Sequence, residues 1–156
     1  MNALLLLAAL LAQQPAHPAD HHDAVNKRGD QAMGFSHETT THHFLLRKDG
    51  GVIDVSANDA KDAASRDQIR MHLGHIAKAF AAGDFQLPML IHDQNPPGVE
   101  LMKRNAAEIQ YRYAKTARGA HVRITTRNQE ALKAVHEFLR FQIQDHKTGD
   151  PEQLTR

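Results

Sequence analysis

The stretch THHFLLRKDGGVIDVSA, Thr41 to Ala57, decides the fold. Two segments rich in β-branched and aromatic residues flank an Asp-Gly pair, which signals a hairpin because a type I′ turn needs positive φ at both central positions. A turn centred on Asp49-Gly50 predicts the pairs Lys48 with Gly51, Leu46 with Ile53, Phe44 with Val55 and His42 with Ala57. Successive strand residues face opposite ways. One face then carries His42, Phe44, Leu46, Ile53 and Val55, and the other carries His43, Leu45, Arg47, Val52, Asp54 and Ser56. His42 is thus expected to point toward a core and His43 toward water.

Working outward, a second hairpin is expected in EIQYRYAKTARGAHVRITT, Glu108 to Thr126, with Arg118-Gly119 as its turn. That turn pairs Tyr113 with Ile124 and Tyr111 with Thr126, burying Ile109, Tyr111, Tyr113, Val122 and Ile124 and turning His121 outward. Each hairpin is followed by a helical pattern. The first, about Ala63 to Ala82, has Ile69, Leu73, Ile76 and Phe80 in one stripe, with Asn58, Asp59 or Asp62 as its cap and Gly83 as its stop. The second, about Gln129 to His146, buries Leu132, Val135, Leu139 and Ile143 and stops near Gly149. Two hairpin-helix units give an α+β fold, with a four-stranded, mainly antiparallel sheet and two helices on one face. Gly83 to Val99, dense in Pro and Gly, is too long for an idle connector. Asp20 to Met33 is expected as a short helix, with Met33 plugging the core.

Composition narrows the function. The chain has 156 residues, with 19 Lys and Arg against 18 Asp and Glu, and a formal charge of +1. That is one domain's worth of chain, and its field is too weak to hold nucleic acid. There is no Cys, which excludes disulfides and thiolate metal sites, yet there are 12 His. The run LLLLAALLA, Leu4 to Ala12, has the length of a signal-peptide core and is too short for a membrane span. The expected organisation is a signal segment at 1–12, a linker and short helix at 13–33, one α+β domain at 34–150 and a flexible tail at 151–156. Cleavage falls between Ala12 and Ala19, and the product is periplasmic or secreted.

Histidine carries what chemistry the sequence offers. Five histidines fall on inward or border positions of separate elements: His42, His72, His92, His136 and His146. A metal site needs three or four donors about 2.0 to 2.2 Å from one ion, and neutral imidazoles suit Cu and Zn. The expected set is His42, His92 and His146, with His72 or His136 completing or supporting it. His72 and His75 are also a possible i, i+3 chelate, and His17, His21 and His22 a loose copper-binding tail. Asp20, Asp23, Asp84 and Asp93 could serve as oxygen ligands or imidazole acceptors. Haem, with Met33 as an axial option, is a further reading. So is a metal-free, pH-responsive binding or dimerisation module, with a homodimer as one form of it. No glycine-rich phosphate loop and no Gly-x-Ser-x-Gly elbow occurs, and nothing marks a nucleophile, so the reading leans away from an enzyme.

The strings TTTHHFLL, IRMHL, GDFQLPMLIH, PPGV and VHEFLRFQIQDHKTGD resemble a group of small exported bacterial proteins of unassigned function, over roughly Met33 to Asp150. The resemblance picks out His42, His72, His92, His136 and His146 and implies no activity. Some of that group carry a carbamoyltransferase label, but this chain lacks the length and the phosphate-binding motifs for that reaction.

Overall fold

A computed structural model describes residues 18–155, so the expected signal segment lies outside the described residues. Helix α1, Pro18–Met33, leads into β1, Thr40–Arg47, and β2, Gly50–Ala57. Then come α2, Ala63–Ala81, two short helices, α3, Gln86–His92, and α4, Val99–Arg104, and a single 3₁₀ turn at Ala106–Glu108. The second unit is β3, Ile109–Lys115, β4, Gly119–Thr126, and α5, Gln129–His146. The sheet is four-stranded and antiparallel throughout, in the order β1-β2-β4-β3. Helices α2 and α5 pack against it, as the repeated hairpin-helix pattern implies.

Both hairpins turn one residue earlier than the Gly signals suggest. Arg47 pairs with Gly50, and Phe44 with Ile53, so the loop is Lys48-Asp49 rather than Asp49-Gly50. Tyr113 pairs with Val122 and Lys115 with Ala120, so the second loop falls before Gly119. The reason is packing. A Cβ on Gly50 would stand 2.0 Å from the Ile124 carbonyl oxygen, and one on Gly51 would stand 2.1 Å from Leu139 Cδ1. A Cβ on Gly119 would stand 2.0 Å from the Val55 carbonyl oxygen. These glycines let β2 and β4 approach each other and α5, and they sit in strands, not at turns. Each register moves by two residues, so every side chain keeps its expected face. Phe44, Leu46, Ile53, Val55, Ile109, Val122 and Ile124 are buried, and Tyr111 and Tyr113 pack at the core's edge.

The helices bury the stripes their spacing implies, with one change. All of Ile69, Leu73, Ile76 and Phe80 are buried on α2, whose N-terminus is capped by Asp62 accepting from the Ser65 N–H at 2.9 Å. On α5 the buried set is Ala131, Ala134, Val135, Phe138, Leu139, Gln142 and Ile143, so Leu132 is displaced toward the rim by Ala134 and Phe138. The Gly83 to Val99 connector earns its length by folding α3 over the sheet end of the core, with Phe85 stacked on Phe80 and packed edge-on to Phe138. Past α5, the Thr155 N–H donates to the Leu46 carbonyl at 2.9 Å, along β1.

Gly98 fixes where α4 meets α5. Its φ is +85°, and a Cβ there would lie 2.2 Å from the Ala134 carbonyl oxygen. Gly98→Ala combines left-handed strain with a clash against helical backbone, and should cost about 3 kcal/mol or more. Urea unfolding of the two proteins checks this; equal midpoints would contradict it.

Candidate functional site

Four of the five expected histidines line one cavity. His42 comes from β1, His72 from α2, His92 from the end of α3 and His146 from the end of α5, around a space of about 60 Å³. Phe44, Ile53, Val55, Ile76, Phe80 and Phe138 form its apolar walls, with Gln142 as a polar wall and Met33 at its α1 side. The His42 and His146 rings are parallel, centroids 6.0 Å apart, and His92 stands edge-on to His146 at 4.9 Å. Phe35 stacks on His42 at 5.9 Å and meets His72 edge-on at 5.6 Å.

The fifth histidine goes elsewhere. His136 Nε2 donates to the carbonyls of Arg47 and Gly50, at 2.9 and 3.0 Å, and so ties α5 to the first hairpin. It lies among the walls of no part of this cavity, because its position on α5 is turned toward the hairpin loop rather than toward Phe138 and Gln142. His75 is exposed, so the His72 and His75 pair diverges: one ring reaches the cavity and the other the solvent. His21 and His22 are not in a loose tail, since they belong to α1 and dock on the end of α5; His17 lies outside the described residues.

Hydrogen bonding divides the histidines into two groups. His92 has partners on both nitrogens, the Asp145 carboxylate on Nδ1 and Gln142 Oε1 on Nε2 at 3.0 Å. His21 shares Asp145 at 2.8 Å, His37 is held by Asp30, His43 by Asp150, and His121 faces Asp54. By contrast His42 Nε2 is buried with no partner, and neither His72 nor His146 makes a hydrogen bond among the described residues. All three of these rings face the cavity, with His92 as the fourth. Gln142 adds to this: its amide nitrogen is also orphaned there, and turning the amide over would only exchange which of its atoms lacks a partner.

Their surroundings keep these three imidazoles neutral. Burial lowers His42 and His72 to about 4, and His146 to about 3, with neighbouring histidines adding to the effect for each ring and Asp30 and Asp145 opposing it for His42 and His146. A neutral imidazole has a free lone pair, which is the form that ligates a metal. Burial also acts on Asp145, raising its carboxyl, but bonds from His92 and His21 outweigh that and hold it below the ordinary carboxylate range. The acceptor that positions His92 is therefore Asp145, not Asp20, Asp23, Asp84 or Asp93. Asp84 instead caps the start of α3 through the Gln86 N–H, and Asp93 is exposed with a left-handed backbone closing that helix.

Asp145 also fastens α1 to the domain. Asp145→Asn would keep an acceptor oxygen toward one of His92 and His21 and set an amide N–H against the other, at a cost of about 2 kcal/mol. Amide exchange in α1 should accelerate first, since Asp145 and Arg28, which donates to the Ile91 carbonyl at 2.7 Å, are its polar anchors. Unchanged protection of α1 would contradict that role.

Among the described residues, no three His, Asp or Glu side chains are placed as a ready-made metal cage. No helix there is long and apolar enough to cross a membrane. No family model, curated protein or solved structure matches the chain.

Proposed function

We propose that this domain binds a transition-metal ion, Cu or Zn, in the histidine-lined cavity, and does so outside the cytoplasm. One observation carries the reading: His42 Nε2, which among the described residues is buried without a hydrogen-bond partner, and the desolvated rings of His72 and His146, which make no hydrogen bond there, all face one cavity. The orphaned His42 nitrogen costs on the order of 1 to 3 kcal/mol, a cost that an ion bound at its lone pair would relieve. His42, His72 and His146 would supply the donors. His92 would stand behind them, its orientation fixed by Asp145 and Gln142 in the manner of an imidazole held by a carboxylate around a metal site. Export is supported by the apolar run at Leu4 to Ala12.

The cavity argues against haem as the occupant. At about 60 Å³ it is several-fold smaller than the roughly 300 Å³ at which drug-sized pockets begin. A macrocycle would have to displace α1 or α3.

Metal titration of the untagged chain against a chromophoric chelator tests the reading. The expected result is one ion retained per chain, with a rise in thermal midpoint that grows with free metal. Binding no tighter than that of an unrelated histidine-containing protein, with no change in midpoint, would reject it.

A further inference from the structure

A second concavity bears on which ion is held and how it arrives. A surface groove of about 200 Å³ runs between α1 and the start of β1, lined in part by His22, Asn26, His37, Thr40 and Thr148. Comparing its walls with those of the inner cavity leaves three residues common to both: Met33, His42 and His146. They form the partition between solvent-facing groove and buried space. They are a thioether and two neutral imidazoles, and among the described residues neither imidazole has a hydrogen-bond partner on the cavity-facing side that would have to be broken.

Resting on the metal-binding reading above, we infer that the resident ion is monovalent copper, held by Met33, His42 and His146 and reached through the α1–β1 groove. Two arguments select it. Thioether sulfur is a soft ligand that favours Cu(I), whereas Zn has no preference for it over oxygen and nitrogen donors. Charge points the same way. Among the described residues no carboxylate lines the inner cavity, and the nearby carboxylates are engaged, Asp145 by His92 and His21 and Asp30 by His37. The cost of moving an ion out of water rises with the square of its charge, so an uncompensated dication is penalised about fourfold more than a monovalent ion in such a site. His37 on the outer wall, bonded to Asp30 through Nδ1 alone, gives the ion a transient nitrogen donor on its way in.

The test uses the full chain under anaerobic conditions, with Cu(I) competed against bicinchoninate and, in parallel, Zn(II) competed against a zinc-responsive chelator. The expected outcome is one Cu(I) held at least tenfold more tightly than Zn(II). Met33→Leu, which keeps the volume and apolar character of the site, should weaken Cu(I) at least tenfold and Zn(II) by a much smaller factor. Copper X-ray absorption should show a sulfur scatterer that disappears in that variant. Tighter Zn(II), or a Met33→Leu chain that binds Cu(I) like the parent, overturns the cuprous assignment and leaves the metal site standing. Failure to bind either ion overturns the metal reading itself.

Discussion

The apo protein should unfold in mild acid, with a midpoint between about pH 4 and 5.5, because three imidazoles are held neutral by the fold. In the unfolded chain they titrate near 6.5; in the folded chain His42 and His72 do so at about 4 and His146 at about 3. Above 6.5 neither state binds these protons, and stability does not depend on them. As pH falls below 6.5 the unfolded chain takes up protons that the folded chain refuses, so stability declines, and it goes on declining until the folded-state values are reached. Each imidazole removes about 1.4 kcal/mol per pH unit in that window. Three together remove about 4 kcal/mol per unit and about 10 kcal/mol by pH 4, enough to exhaust a domain in the lower half of the ordinary range of about 5 to 15 kcal/mol. Far-UV circular dichroism against pH measures the midpoint. A chain that stays folded to pH 3 would show that these rings are hydrated or partnered in solution.

Replacing the orphaned rings should separate stability from binding. His42→Phe with His146→Phe removes two desolvated polar groups, keeps aromatic contact with Phe35 and Phe44, and uses free volume already present in the cavity. The double variant should be more stable than the parent at pH 7, by about 1 to 3 kcal/mol, and should unfold at lower pH, since one acid-sensitive ring remains where there were three. It should also lose metal-dependent stabilisation altogether. Such opposed effects are the mark of residues kept for a ligand at a cost to the fold. A double variant that is less stable and still binds metal would mean that His42 and His146 are packing residues.

The parts of this molecule that could be read in its sequence are those governed by periodicity. Alternation in Thr41 to Ala57 put His42 inward and His43 outward, and the α2 stripe was legible from spacing alone, because side-chain direction follows from local backbone geometry. Those readings survived a wrong register in both hairpins, since an error of two residues returns every side chain to its own face. What misled was Gly. In Asp49-Gly50-Gly51 and Arg118-Gly119 it reads as a turn residue, yet here it serves close approach to β4, α5 and Val55, which only the tertiary arrangement reveals. His136 was misplaced for a related reason. Helical spacing puts it at the edge of the α5 stripe, and which neighbour an edge residue meets depends on the hairpin loop beside it. The Asp145 bridge between His21 and His92 spans residues 124 and 53 apart in sequence, so no local pattern announces it. Met33 looked like a core plug; its place on both the groove and the cavity is a property of how α1 lies across β1 and α5.

Anomalous diffraction from crystals grown with Cu or Zn, collected on either side of the metal's absorption edge, would locate the bound ion without assumptions about affinity. The account predicts one strong peak within bonding distance of a ring nitrogen of His42 and of His146, on the side shared with Met33. Density confined to exposed histidines such as His75 or His43, with the cavity featureless at full metal loading, would contradict it.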